Sequence, residues 1–559
     1  MREMGGMQPI SVHGTRIESI PFSVLPGQSQ LFLDYLADPV SLSNYFPAEV
    51  AVFSDLEGRV REVLDAHRTD RDKLCTALRI MNARFGASAE TLANIELLRR
   101  GDTVAVMTGQ QTGFLSGPLF TIYKAVSAIR AAERLRTRDI SAVPVFWMAT
   151  EDHDLDEVST AFVLGQNDDL VSLSIKPASE EIGKPVGSVI LNESVEAALS
   201  DLFASVPRTE FTSALRSELS AIWRQGADLA TSFGATLSFL VGKYGLVVVD
   251  PRDLTLKRLA APVYLAAIER SQEIVDSLIG RSADLINDGY HAQVQISQDH
   301  FPLFWHDDDG KRNSLRRAVD GTLRPKGSRN GFTLSDMLSI AENTPERFSP
   351  GVMLRPVVQD FLFPTICYFG GAAEVSYFAQ NSEVYRVMER PVTPILHRQS
   401  FTVVESRHFR TLDKYGIGFN DLFEGEDVLL RTIVEKFIDP TTTSLFDEVE
   451  VLVGEELDRL GERLAGFDAP LAANLNNRKR KISYHLSALR KKFQKRRSET
   501  DETIARRVRA ALGSLAPKGM LQERSVNIFT YFDRLGPAFI DIVHDSVDLE
   551  DKGHRVIYL

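Results

Sequence analysis

The sequence predicts an α/β protein: a doubly wound, mostly parallel sheet followed by a long antiparallel helical arm. Three observations carry this reading. Four short apolar runs, "TVAVMTGQQTG", "AVPVFWMATEDHD", "YGLVVVDPRD" and "FPTICYFGGAAE", each stop at Gly, Asp or Glu. An amphipathic segment lies between the first two. After about residue 400, helical periodicity replaces the strand-like runs.

Continuous apolar runs suit strands covered on both faces by helices. The segment "GPLFTIYKAVSAIRAAERL" sets Leu119, Ile122, Tyr123, Val126 and Ile129 on one helical face. Pro118 fits its first position, with Gly117 or Ser116 as cap. Strand, helix and strand over Val104–Met148 then form a βαβ unit. Sheets of this kind collect ligands at the carboxyl ends of their strands, where all four polar clusters fall. Residues 43–100 read as helices packed ahead of the first strand. "DLVSLSIKPASEEIGKPVGSVILNES" reads as a small β excursion. Residues 1–400 are expected to form the core.

Residues 401–520 are expected to form the arm. One helix covers "SLFDEVEVLVGEELDRLGERLAGF"; a second runs from near Pro470 to Leu515. Ile482, Leu486, Leu489 and Phe493 alternate by four, three and four, as a coiled-coil seam does. Forty helical residues would reach ~60 Å. So narrow a seam calls for a partner, and a two-fold dimer is the commonest solution. Arg478 to Lys518 carries fourteen Lys or Arg against three acids. Either this face meets an anionic partner, or it pairs with the acidic first helix. The final "HRVIYL" reads as one more strand, so residues 521–559 are expected to return to the core.

The chain has 559 residues, 43% hydrophobic and 25% charged, with a formal charge of −12. That length calls for at least two domains, and the acidity argues against wrapping nucleic acid. Two cysteines imply no disulfide framework. Cys75 and Cys367 both lie in apolar patterns and read as core residues. "MREMGGMQPISVHG" has no leader-like apolar stretch, and no window approaches the ~20 apolar residues of a membrane span. A cytoplasmic protein is expected.

Four clusters could carry chemistry. After the first strand come Gly109, Gln110, Gln111, Thr112, Gly113 and Gly117, with no lysine at the Walker position and no Rossmann glycine spacing. A helix N-terminus preceded by small residues attracts phosphate or carboxylate; a plain tight turn is the alternative. After the second, Glu151, Asp152, His153, Asp154, Asp156 and Glu157 crowd together. Some must face solvent or a cation, and Asp152 or Asp154 could receive Mg²⁺ or an ammonium group. His153 could act as general acid or base, whereas acids at a helix start need no function. No second His or Cys stands at zinc-ligand spacing. After the third strand, Asp250 and Arg252 could meet a hydroxyl or a substrate, or Asp250 could simply cap. The fourth cluster is Arg355, Gln359, Asp360, Gly370, Gly371, Glu374 and Tyr377, with arginine as the natural anion clamp. A satisfied core network is its alternative. The glutamine–glycine bend, the histidine and Arg355 are expected to converge at one rim of the sheet.

Taken in order, "TGQQTGFLSGPLFTIYKAVSAI", "VPVFWMATEDHDLDEV" and "LRPVVQDFLFPTICYFGGAAEVSYFAQ" resemble the bacillithiol biosynthesis cysteine-adding enzymes, the BshC family. "LPGQSQLFLDYL", "GYHAQV" and "HRVIYL" fit as well, so the resemblance covers nearly the whole chain. One departure is "GGAAE" at Gly370–Glu374, where the family carries a proline, which puts the shape of that loop in doubt. The resemblance implies a Rossmann-like core with insertions and a coiled-coil domain pairing two subunits. It implies a ligase joining cysteine to the amine of glucosaminyl malate with ATP-dependent carboxylate activation, and that chemistry would call for Mg²⁺ at Asp152 or Asp154. The resemblance assigns no single residue a catalytic role; the residues themselves make Asp152, His153 and Asp154 the expected catalytic group, with His153 as base for the amine. The alternative is a dimeric nucleotide- or RNA-binding module working through the basic arm; its binding would collapse with salt.

Overall fold

The computed structural model describes residues 10–12, 15–48, 50, 52–433, 440–500 and 502–559. Residues 1–9, on which most of the leader reading rests, lie outside these. So do residues 434–439 and 501, within the stretch read as helical. The chain divides into two compact units. The first holds residues 1–166, 170–402 and 522–557; the second holds 167–169, 403–521 and 558–559.

The first unit is built on five parallel strands: β1 (Val104–Gln110), β2 (Ala142–Met148), β3 (Val247–Val249), β4 (Thr365–Gly370) and β5 (Ile395–His397). Their spatial order is β5-β4-β1-β2-β3. Every residue of β2 and β4 is buried, which is why these runs are apolar without alternation. The four runs read as strands are β1 to β4. The strand β5 went unread because three residues carry no usable period. The chain builds outward from β1 through β2 to β3, then crosses to the other side of β1 for β4 and β5. The direction therefore reverses between β1 and β4, the place where such sheets open a crevice.

Helix α1 (Phe120–Arg136) buries Ile122, Tyr123, Val126 and Ile129 against the sheet. It starts at Phe120, not at Pro118. Leu115, Ser116 and Gly117 take positive φ values of 54, 72 and 68°, and this turns the chain before the helix can begin. Two non-glycine residues in that region cost about 1–3 kcal/mol each and persist only where packing enforces them. The Asn527 amide enforces it, donating to the carbonyls of Leu115 and Gly117 at 2.7 Å each. The helix Arg71–Arg84, one of three (Val60–Ala66, Arg71–Arg84, Ala89–Arg99) ahead of β1, finishes the other edge. Its buried Asn82 pairs with both backbone groups of Val248, at 2.8 and 2.9 Å, as a further strand would.

Helices α2 (Leu254–Glu269), α3 (Arg355–Leu362) and α4 (Ala372–Val387) follow β3 and flank β4. Two insertions interrupt the sheet. The first contains a hairpin of Thr160–Leu164 with Leu170–Ser174; only its second strand falls in the stretch expected as a β excursion, which then continues through short helical turns at Ser179–Glu181 and Val186–Ser188. The second is an antiparallel four-stranded sheet in the order Leu323–Pro325, Arg312–Arg317, His300–His306, Phe348–Pro350, which the sequence reading missed. The strand His554–Tyr558 closes the chain beside Thr15–Ile20. Cys75 and Cys367 are buried.

The second unit centres on a helical hairpin of α5 (Pro440–Ala465) and α6 (Ala469–Thr500), with Glu502–Leu515 beyond. Arg490 pairs with Asp447 at 2.8 Å and Glu450 at 3.2 Å, Lys479 pairs with Asp458, and Phe446 meets Phe493. These contacts set an antiparallel register, so basic α6 spends part of its charge on acidic α5. The expected seam divides: Leu486 and Phe493 are half-buried, while Ile482 and Leu489 are exposed. One helix can cover only one narrow stripe of another.

Candidate active site

The carboxyl rim of the sheet carries two clusters, and the chain passes from one to the other between Gln110 and Gln111. At the reversal point, Gly109 lies against β2 so closely that a Cβ would sit 2.6 Å from the Trp147 carbonyl oxygen. Lys124, on the second turn of α1, reaches back to this strand end. Its Nζ donates to Gly109 O at 2.9 Å and Gln110 Oε1 at 2.8 Å, and pairs with Glu374 on α4. Glu374 also accepts from Gly371 N at 2.8 Å and Tyr368 Oη at 2.7 Å. Burial holds the Lys124 ammonium below its usual range despite Glu374. Burial alone would raise Glu374; the Lys124 charge and the hydrogen bonds outweigh it and bring the carboxyl below its usual value.

Arg355 opens α3 beside this pair. It donates to Gln359 Oε1 at 3.0 Å and Tyr377 Oη at 2.9 Å, with the Tyr368 ring 5.3 Å away. Among the described residues no carboxylate lies within ion-pair distance of it. Behind Gly370, the Arg398 guanidinium forms a two-pronged pair with Glu523 at 2.7 and 3.0 Å. Ser400 links Glu523 (2.8 Å) to His554 Nδ1 (2.7 Å), and Thr402 meets His554 Nε2 at 2.9 Å. Burial and then Arg398 hold His554 down at about 4, against the pull of Glu523.

The second cluster lies past β2 and β3. Glu151 is buried and paired with Lys257 of α2, which also donates to Phe348 O at 2.6 Å. Asp152 is half-buried. Its Oδ2 accepts from Gln111 Nε2 at 2.8 Å, and the same nitrogen lies 2.8 Å from Glu157. His153 is exposed, and Arg312 Nη1 donates to its Nδ1 at 3.2 Å. Arg312 comes from the inserted sheet. Its Nε donates to Ser349 Oγ at 3.0 Å, its Nη2 to Pro350 O at 3.2 Å, and its head lies 3.6 Å from the centre of the Phe304 ring.

Several expected roles change. The loop after β1 is no open anion cradle: residues Thr112 to Gly117 are buried, and Asn527 staples two of its carbonyls. Thr112, Gly113 and Gly117 are thus structural. Asp154 caps the short helix Leu155–Val158 by accepting from Glu157 N at 3.2 Å. Among the described residues no group of three or more His, Cys, Asp or Glu side chains could hold a metal ion. Asp250 is buried and locked by Arg252 and Thr150, the latter at 2.6 Å, while Asp253 caps α2. Asp360 faces inward to Gln359 and Tyr385. Gln359 therefore braces Arg355 from behind. The bend, the histidine and Arg355 share one rim but form two clusters.

Lys124, Arg312, Lys257 and Asn527 were missed. Lys124 and Lys257 left a signal: a lysine inside an apolar helix needs a buried partner. Arg312 lies among polar residues 159 positions from His153, with nothing in its neighbourhood to mark it.

A family model for the bacillithiol biosynthesis BshC N-terminal Rossmann-like domain matches residues 16–399, and one for the BshC C-terminal coiled-coil domain matches residues 401–559. The chain belongs to the BshC family. Three BshC relatives, each named "Putative cysteine ligase BshC", align along almost the whole chain. The protein of Koribacter versatilis (strain Ellin345) is 33% identical over 97% of this chain and 99% of its own. That of Salinibacter ruber (strain DSM 13855 / M31) is 32% identical over 96% and 97%. That of Solibacter usitatus (strain Ellin6076) is 31% identical over 96% and 98%. With BshC domains on both sides of residue 400, the α/β core and the helical arm belong to one family architecture. Among the described residues no helix is long and apolar enough to cross a membrane.

Proposed function

We propose that the protein joins the carboxyl group of cysteine to the amine of glucosaminyl malate, making bacillithiol at the carboxyl rim of the sheet. The observation that carries this is full-length membership of a family whose relatives are named cysteine ligases. The rim geometry supports it. Gln111, Asp152 and His153 form a solvent-accessible polar cluster backed by the buried Arg312 side chain, as a condensation of two polar substrates requires. Among the described residues the hydrogen-bond partners of Arg355 are neutral, and a carboxylate of the malyl group would balance its charge.

A carboxylate does not acylate an amine in water without activation. ATP, as a third substrate, would convert it to an acyl phosphate or acyl adenylate. The buried loop after β1 does not fit a phosphate cradle, so the nucleotide is assigned no place on it. Two copies would pair through the exposed apolar residues of the hairpin, including Leu445, Leu452 and Leu489, a pairing that sedimentation would test.

The deciding assay supplies purified protein with glucosaminyl malate, cysteine, ATP and Mg²⁺, and reads the condensed thiol by mass spectrometry. The expected result is a product heavier by cysteine less water, with AMP or ADP formed in equal amount. Folded protein that makes no product with any nucleotide or divalent metal would overturn the proposal.

A further inference from the structure

We infer that His153 serves this reaction as a neutral Nε2–H hydrogen-bond donor, not as a base, and that Arg312 is the positioning residue that sets this tautomer. The inference rests on the ligase reading above. Its ground is a donor count. A guanidinium has N–H donors and no acceptor. Arg312 Nη1 lies 3.2 Å from His153 Nδ1, so Nδ1 must present its lone pair. The one proton of the neutral ring then sits on Nε2, and a nitrogen that already carries a proton cannot take another. Protonating Nδ1 instead would set two donors and two positive charges face to face.

Arg312 is not free to move aside. Its side chain is 8% exposed. Ser349 Oγ and Pro350 O take its Nε and Nη2, and its head stacks on Phe304. Ser349 Oγ is in turn 2.9 Å from His306 Nε2. The competing group is Asp152, whose Oδ1 lies 3.6 Å from Nδ1 and would favour a proton there. That contact is longer than a hydrogen bond, and the same oxygen already accepts from His153 N at 2.8 Å. The other Asp152 oxygen is held by Gln111. Among the described residues, Arg312 and Asp152 are the charged groups within 4 Å of the ring nitrogens, they lie 3.7 Å from each other, and the closer of the two to Nδ1 dictates the tautomer.

A fixed N–H donor at this rim suits the acyl oxygen. When the unprotonated amine attacks the activated carboxyl, the C–N bond forms and the carbonyl oxygen takes the electron pair. The tetrahedral intermediate then collapses, and the C–O bond to the phosphoryl group breaks. The leaving phosphoryl oxygen carries away that electron pair and the proton shed by the amine. No step asks His153 to gain or lose a proton; the Nε2–H stabilises the oxyanion. Removing one such donor costs about 10²–10³ in rate.

Two measurements test this. Protein labelled with ¹⁵N-histidine, with the His153 signals identified by their loss in His153→Gln, should show Nδ1 as unprotonated acceptor and Nε2 as N–H near neutral pH. Arg312→Met should convert this to a mixture of tautomers. A proton found on Nδ1, or an unchanged tautomer in Arg312→Met, would overturn the inference. In the ligation assay, His153→Ala should lose about 10²–10³ in kcat. His153→Gln, whose amide N–H can donate but whose side chain cannot act as a base, should lose roughly tenfold less than that. Gln as inactive as Ala would sink the donor role. The tautomer is read without substrate, so it stands or falls separately from the ligase reading.

Discussion

The two clusters on the carboxyl rim are built from the same materials and are opposites in character. Between β1 and β4, Lys124 and Glu374 form a pair whose lysine is only 3% exposed, backed by Arg398, Glu523 and His554. Past β2, Asp152 and His153 keep 34% and 43% of their side chains open to water. The first cluster occupies the reversal point where a Rossmann-type sheet would ordinarily admit its ligand. Here the protein's own ion pair fills the innermost part of that place, and the accessible polar groups stand one strand further out. Position on the rim alone does not make a residue a candidate reactant; access to water is also needed.

This contrast can be broken by mutation, and the largest effect is expected at the buried pair. Lys124→Ala should strand Glu374 as a largely buried carboxylate without its cation and cost up to about 3–5 kcal/mol, seen in urea or thermal unfolding. The double variant Lys124→Met with Glu374→Leu should regain much of that loss, because apolar replacement of both partners removes the stranded charge. If Lys124→Ala unfolds like wild type, the pair is not the clamp described.

Acid should act on the same side. His554 is held at about 4 when folded, below the ~6.5 of an unfolded histidine. A depressed pKa means that the unfolded chain binds more protons, so stability is full above ~6.5 and falls as pH drops from there towards 4, by up to about 3 kcal/mol. His554→Gln should flatten that part of the stability–pH curve. An unaltered slope in the variant would remove His554 as its source.

Arg355→Gln should leave the fold intact and raise KM for glucosaminyl malate by roughly 10- to 100-fold, the worth of a hydrogen bond to a charged group. A KM that does not move would free the malyl carboxylates from Arg355 and weaken the distinction between its charge and that of Lys124. The smallest effect is expected at Asp154. Losing its cap in Asp154→Ala should cost about 1 kcal/mol or less, with kcat within a few-fold of wild type. A large loss of kcat would put Asp154 back among the reacting groups.

Much of the scaffold was legible beforehand. Strands β1 to β4 announced themselves because burial on both faces demands unbroken apolar runs. An acid at a helix start was readable as the plain alternative to chemistry at Asp154, and Asp154 caps the helix Leu155–Val158. The opposite charges of α5 and α6 were readable as a pairing device, realised in Arg490 with Asp447 and Glu450. The loop after β1 misled, since glycines before a helix signal either an anion site or a tight turn. Asn527, more than 400 residues away, chose the turn. Asp250, Arg252 and Asp360 carry the right chemical groups for a site, but their partners consume them.

By itself the sequence determined the strand-forming runs, the helical arm and the family, since these depend on local periodicity and on motifs contiguous in the chain. Which polar residues stay available was decided only by the tertiary structure. Availability depends on partners brought from distant segments: Lys124 onto Glu374, Arg312 onto His153, Asn527 onto Leu115. A hydrogen-bond donor or charge is used up by whatever lies within about 3 Å of it, and folding, not spacing along the chain, sets that distance.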